Sequence, residues 1–271
     1  MVMSINTNPG AMIALQSLSA TNRQLETTQL RITTGLKVNG PKDDAATFAI
    51  AQNMRGDIAG LGAVKTNLAL GQSIVGVAID AGKAVSDLLI EMKAKAVQAS
   101  QDGLDSDSYT ALNQEFTSLR AQIQSIVTTA EFNGKNLVTL GSSDLKVLST
   151  VDGSTITVSA QSFDQTSLSI QAISLSTANN ASQALIALDS AIVQVSNGLA
   201  SFGSSANRLD IQATFTGKLQ DILKQGVGNL VDADLATESA NLQAFQIKQQ
   251  LGVQALSIAN AGPQSILALF R

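Results

Sequence analysis

From Leu185 an apolar side chain recurs at alternating steps of three and four, through Leu188, Ile192, Val195, Leu199, Phe202, Ala206, Leu209, Ala213, Thr216, Gln220, Leu223, Val227 and Leu230. Only Thr216 and Gln220 interrupt the series. A seam that keeps a 3.5-residue period over roughly six heptads belongs to one long helix in coiled-coil packing, since a globular helix of three turns has no use for it. The competing reading is a run of short helices whose seams align by accident. At 1.5 Å per residue this segment is about 70 Å long. A sphere of the same chain length would be only about 48 Å across, so a rod is expected.

The first half supplies partners for that helix. Met54, Leu61, Leu68, Val75, Gly82, Leu89 and Ala96 recur every seven residues, and Leu112, Phe116, Leu119, Ile123 and Ile126 follow a four-three alternation. Between them Gly103 and the cap candidates Asp105, Ser106 and Asp107 predict a reversal, hence antiparallel helices. The second of these helices is expected to stop at Phe132-Asn133-Gly134. From Leu145 to Leu175 the pattern becomes Ser/Thr-rich and β-prone, with Asp152-Gly153 as a type I′ hairpin signal and Leu168 alternating with Ile170. Aromatic residues are only 3% and charged residues 14% of the chain, against roughly 25% charged in ordinary globular proteins. Small aliphatic and uncharged polar side chains must therefore do the packing.

The two ends match each other. Ala11, Leu15, Leu18, Asn22, Leu25, Gln29, Ile32 and Leu36 form one four-three series, and Leu235, Leu242, Gln249 and Leu256 recur at seven with Phe245 and Val253 between. Gly40-Pro41 with Asp43 and Asp44 separates the first helix from the rod, and Gly228 with Asp232 to Asp234 separates the last. The expected fold is mainly α: a long antiparallel coiled-coil rod with a small β-hairpin region, plus paired N- and C-terminal helices. Residues 1–40 plus 232–271 form the terminal-helix domain, and 41–231 the rod domain, with its β excursion at about 135–176. Asn22, Gln29 and Gln249 interrupt the terminal seams and read either as register devices, which trade stability for alignment, or as merely exposed positions.

A full burial gains about 1.5–3 kcal/mol per large apolar side chain, while ordering costs about 1–2 kcal/mol per residue of backbone. A bare two-helix contact buries its leucines only in part, so these ends are expected to be loose in a lone chain and ordered upon assembly. Contacts that run head to tail without closing build a filament.

Chemistry is narrowly bounded. The chain has no cysteine and no histidine, which removes disulfides, thiolate nucleophiles, Cys/His zinc sites and imidazole acid–base work. The remaining carboxylates, lysines and hydroxyls form no recognisable constellation, so neither an enzyme nor a cofactor or metal site is expected. Asp43 and Asp44 point apart on a helix, and one of them reads as an ordinary N-cap. Thr216-Gly217-Lys218 lacks the glycine that a phosphate-binding loop would place at Gln212. A net charge of −4 with no basic run argues against nucleic acid. The first twenty residues do not read as a cleaved secretory signal, and no apolar window approaches the roughly 18 to 20 residues a spanning helix needs, so membrane insertion is not expected.

Residues at both ends closely resemble bacterial flagellin. They include Ile5-Asn6-Thr7-Asn8, Ile32-Thr33-Thr34-Gly35-Leu36 and Lys42-Asp43-Asp44-Ala45-Ala46 near the start, and Ala236-Thr237-Glu238, Gln250, Ala259-Asn260 and Leu267-Ala268-Leu269-Phe270-Arg271 near the end. Ala96-Val97-Gln98-Ala99 and Glu131-Phe132-Asn133-Gly134 fit as well. The resemblance spans about 1–140 and 180–271, and implies a short flagellin that carries only the two inner domains. It further implies a subunit secreted unfolded through the flagellar type III export apparatus with an export chaperone, then added at the filament tip beneath a cap. Its partners would be copies of itself, other flagellins where several share a filament, and the junction proteins at the filament base.

The assembly contacts are expected from Leu15, Leu18, Leu25 and Ile32 on the first helix and Leu242, Phe245, Leu256 and Phe270 on the last. The alternatives are a hook-filament junction protein, which has similar ends but forms one short ring, and a secreted helical adhesin or binding module. Some flagellins are detected by a Toll-like receptor through the segment matching Leu89 to Gln98. Here Glu91 stands where the recognised pattern has arginine and Lys95 where it has leucine, although Glu115 matches, so weak recognition is expected.

Overall fold

The computed structural model describes residues 7–268, with 262–268 as helix backbone alone. In chain order it contains α1 (Pro9–Thr34), α2 (Ala45–Ala99), α3 (Ser106–Thr129), β1 (Glu131–Phe132), β2 (Lys135–Asn136), β3 (Leu145–Leu148), β4 (Thr155–Val158), α4 (Ala178–Val231) and α5 (Leu235–Ala268). The fold is mainly α, with two small antiparallel strand pairs among the described residues. The chain divides into two compact units: Asp57–Asp221, and the residues up to Gly56 together with those from Ile222 onward.

In the Asp57–Asp221 unit the buried column of α2 steps by three and four through Leu61, Val64, Leu68, Gly71, Val75, Ala78, Gly82, Val85, Leu89, Met92, Ala96 and Ala99. It packs with Phe116, Ile123 and Val127 of α3 and with Leu188, Val195, Phe202 and Leu209 of α4. Cross-contacts fix the directions. Lys93 Nζ meets Asp189 at 2.5 Å, Gln72 Nε2 donates to Asp210 at 3.5 Å, and Gln220 Nε2 donates to the Ile58 carbonyl at 3.1 Å. Numbers rise on α2 as they fall on α4, so the two helices are antiparallel. The reversal between α2 and α3 uses Gly103 at φ +92 and Asp105, whose carboxylate accepts the Ser108 N–H at 2.9 Å as the N-cap.

The α4 seam departs from its expected positions by one residue on one side. Leu188, Val195, Phe202 and Leu209 are buried as expected, but Leu185, Ile192, Leu199 and Ala206 are only partly buried. The fully covered column beside them is Ala184, Ala191, Gly198 and Ser205. Small residues lie innermost because another part of the chain comes in against them. A Cβ on Gly198 would sit 2.6 Å from the Phe163 ring, and one on Gly82 of α2 would sit 3.0 Å from the same ring. Phe163 is thus held between two helices, edge-on to Phe202 at 6.1 Å.

The β region reverses two expectations. Asn133-Gly134 does not end a helix: α3 stops at Thr129, and Asn133 (φ 53) with Gly134 (φ 73) forms the two-residue turn joining β1 to β2. Left-handed backbone at both central positions is what type I′ requires. Asp152-Gly153 is not such a turn. β3 pairs with β4 from Leu145↔Val158 to Leu148↔Thr155, and Thr150 to Gly153 makes a turn closed by the Gly153 N–H to the Thr150 carbonyl at 3.3 Å. Only Gly153 is left-handed there (φ +89), as in a turn followed by a glycine bulge. Leu168 and Ile170 are buried but not in a strand, since Ser169 between them turns at φ 57. Arg120 of α3 pins this irregular stretch by donating to the carbonyls of Gln171 at 2.6 Å and Ile173 at 3.0 Å.

One further expectation needs correction: α4 does contain an 18-residue stretch apolar enough, by length and composition, to cross a membrane. Only 28% of that stretch is buried: Ala184, Leu188, Ala191 and Val195 of α4 are covered by protein, while its Ile186 and Val193 are apolar and exposed.

In the second unit α1 ends at Gly35, a left-handed C-cap (φ 71) whose N–H bonds the Arg31 carbonyl at 2.9 Å. Leu36, the last position of the expected α1 seam, lies beyond the helix in a bridge to Asp232. The Val231 carbonyl accepts from Lys37 and Val38, and the Gly35 carbonyl accepts from Ala233 at 2.9 Å. The α1–α2 and α4–α5 connections are thereby tied together. Gly228 is inside α4 rather than a break before α5.

Candidate functional site

The paired terminal helices are the candidate site. α5 begins at an aspartate because the carboxylate caps it: Asp234 accepts the Ala236 N–H at 3.0 Å and the Thr237 hydroxyl at 2.7 Å. Asp44 does the same for α2, accepting the Ala46 N–H at 3.0 Å and the Thr47 hydroxyl at 2.6 Å. Asp43 instead holds the preceding loop by accepting from Asn39 and Gly40. In both caps the threonine hydroxyl, then its backbone N–H, hold the carboxyl below its usual range. Asn8 caps α1, accepting the Ala11 N–H at 3.1 Å, while its amide donates to the Ala259 carbonyl on α5 at 2.7 Å.

α1 and α5 run antiparallel, since Asn8 meets Ala259, Leu18 meets Gly252, Asn22 meets Gln249 and Arg31 meets Glu238. Asn22 and Gln249, two of the three polar interruptions, are bonded to each other: Gln249 Nε2 donates to Asn22 Oδ1 at 2.9 Å in a partly buried setting. Gln29 is exposed. The Arg31–Glu238 ion pair spans 2.9 Å, with Glu238 only 10% exposed at its side chain, and the Arg31 Nε is buried with no hydrogen-bond partner. A glutamate this covered is held by its partner and would be costly to leave alone. Beside the pair runs an open groove of about 380 Å³, lined by Arg23, Thr27, Arg31, Asn241 and Phe245 among others.

Of the expected assembly residues, Leu18, Leu25, Ile32, Leu242, Phe245 and Leu256 are all half-buried on the mutually facing sides of α1 and α5. Leu15 is 57% exposed. Phe270 lies outside the described residues. Several apolar side chains escaped sequence reasoning. Ile247, Leu251 and Ile258 are exposed and, at spacings of four and seven, share a line on α5 opposite the side that meets α1. Met12 and Ile13 of α1 are exposed as well. α5 is thus apolar on two sides, a pattern that a search for a single seam discards. In the other unit Ile186, Val193, Ile211 and Phe215 are exposed along α4, and each falls near one helical line at 100° per residue.

Large apolar side chains lined up on helix faces offer cover for another apolar surface.

The family model described as the bacterial flagellin N-terminal helical region matches residues 5–140, and the one described as the C-terminal helical region matches residues 185–270. Flagellin FljK of Caulobacter vibrioides is 49% identical over 269 residues, covering 99% of this chain and 98% of the relative. A flagellin of Brucella melitensis is 37% identical over 282 residues, covering 99% of each. Among solved structures, a Bacillus cereus flagellin is 28% identical with a TM-score of 0.51, over 55% of this chain and 88% of that one.

Proposed function

The chain belongs to the bacterial flagellin family, structural proteins of the extracellular flagellar filament that serves motility, and from that premise we propose how its geometry serves the polymer. The terminal pair is the assembly element. Leu18, Leu25 and Ile32 with Leu242, Phe245 and Leu256 bind α1 to α5, while Leu15 and the outward line Ile247–Leu251–Ile258 are covered by neighbouring copies. Phe270 is assigned to the same contacts. Residues 1–40 with 232–271 act as the inner domain and 41–231 as the outer one. The observation that carries this reading is the second apolar side of α5, exposed in the single chain.

The subunit is exported unfolded through the type III apparatus with a chaperone, and joins the filament beneath its cap. A chain without disulfides has no covalent link to obstruct such threading. Deleting residues 232–271 tests the assembly role: the truncated chain should stay soluble and fail to extend filament seeds, and extension by it would contradict the mechanism. The intact chain should grow on seeds without limit, and a single short ring would instead indicate a junction protein. Toll-like receptor recognition should be weak, because Lys95 is bonded to Glu115 at 2.5 Å and Glu91 is exposed. A reporter-cell response to monomer equal to that of an enterobacterial flagellin would refute this.

A further inference from the structure

Apolar contacts alone leave the alignment of α1 and α5 open. Leu18, Leu25 and Ile32 recur at seven on α1, and Phe245, Gly252 and Ala259 recur at seven on α5, so a slide of one heptad, about 10 Å, moves Leu18 from Gly252 to Phe245 or Ala259, apolar against apolar again. The polar pairs do not survive that slide. In one direction Asn22 would face Leu256 while Gln249 faced Gln29, and in the other Asn22 would face Leu242 while Gln249 faced Leu15. Glu238 would leave Arg31 in both directions. The Asn8–Ala259 bond discriminates less, because every residue of α5 offers a backbone carbonyl.

We propose that the Asn22–Gln249 hydrogen bond and the Arg31–Glu238 ion pair, placed nine residues apart on α1, act as positioning residues that set the register of the terminal pair. Holding α1 and α5 at one offset keeps the outward line Ile247–Leu251–Ile258 at a fixed place relative to Leu15, which a helical lattice must find identical in every subunit. Asn22 has a polar partner in the observed alignment and an apolar one after either slide, and such a seam position is a recognised way for a coiled coil to specify register at some cost in stability. This use of the register rests on the assembly reading above, but the register itself does not.

The absence of cysteine permits a direct test in the isolated full-length chain. A Cβ on Gly252 would lie 3.7 Å from the Leu18 Cβ, within the span of a disulfide. Leu18→Cys with Gly252→Cys therefore reports the native register, and Leu18→Cys with Ala259→Cys or Phe245→Cys reports a slip of one heptad either way. The ratio of native to slipped cross-linking counts only chains in which the helices meet. Removing both polar pairs (Asn22→Leu, Gln249→Leu, Arg31→Met, Glu238→Leu) should lower that ratio at least tenfold. Restoring either pair, or using the swapped pair Asn22→Gln with Gln249→Asn, should raise it again. A ratio unchanged by removing both pairs overturns the proposal. Loss of all cross-links also overturns it, since the pairs would then hold the helices together rather than choose their alignment. Polymerisation of the unaltered chain on seeds, measured separately, shows whether the assembly reading fails on its own.

Discussion

Asp44, Asp105 and Asp234 each begin a helix by giving a carboxylate to a Thr or Ser hydroxyl three residues on, and then to that residue's N–H. These bonds hold the three carboxyls below the usual 3.8. A depressed folded value contributes stability that is present above the unfolded pKa and is lost as pH falls through the folded one. Acidification from pH 5 to about 2.5 should therefore strip hydrogen-exchange protection from the first turns of α2 and α5, read at Thr47 and Thr237. Asp44→Asn and Asp234→Asn keep a capping oxygen without a titrating group, so their protection should not change over that range. An equal loss in the variants would place the effect elsewhere. Outward residues make the opposite kind of prediction. Leu251→Ser and Ile258→Ser should change the melting of the isolated chain by under about 0.5 kcal/mol, yet raise the concentration needed for filament growth, tenfold for each ~1.4 kcal/mol of lost contact. Ile258 is 74% exposed and has little to lose within its own chain. The caps at Asp44 and Asp105 were legible because one aspartate follows Gly-Pro and the other follows Gly103 in a polar break, whereas Asp232 to Asp234 read only as a separator. Ile247, Leu251 and Ile258 were not, because seam reasoning assigns an apolar side chain to one face and treats the rest as background.

For whole elements, the contest at glycine is between helix propensity and space. Alanine gains about 0.8–1 kcal/mol over glycine in a helix interior, whereas overpacking a filled site costs about 1–3 kcal/mol. Gly203→Ala on α4 meets nothing within 4 Å and should stabilise the chain. Gly198→Ala, five residues earlier, would drive a methyl to 2.6 Å from the Phe163 ring and should destabilise it, as should Gly71→Ala, where Val147 of β3 stands at the same distance. Chemical denaturation of the three variants checks the signs, and equal gains at all three positions would mean that the β region does not press on α2 and α4 as described. The same packing explains how the sequence could mislead. The heptad period predicted the existence of α2, α3 and α4, and Gly103 with the caps after it the reversal between the first two, but Ala184, Ala191, Gly198 and Ser205 displaced Leu185, Ile192, Leu199 and Ala206 from the innermost column. Size was read as burial, and close approach rewards the reverse. The type I′ turn expected at Asp152-Gly153 lies at Asn133-Gly134 for a related reason: either dipeptide accepts left-handed backbone, and the pairing of the flanking strands decides which one forms the tight turn.

At the scale of the whole molecule, the polymer depends on apolar surface that one chain cannot cover. The N- and C-terminal helices enclose Leu18, Leu25, Ile32, Leu242, Phe245 and Leu256 only by half and leave α5 apolar on its outward side. A two-helix contact of this size weakly offsets the cost of ordering, and neighbouring copies supply the remainder. Amide hydrogen exchange over residues 7–34 and 242–261, beyond the capped first turn of α5, tests this most directly, compared between the dilute chain and filaments grown from it on seeds. The expected result is rapid exchange in the dilute chain, slowing by several orders of magnitude in the filament, while Asp57–Asp221 is protected in both. Terminal helices already as protected in the dilute chain as in the filament, at every concentration, would contradict it.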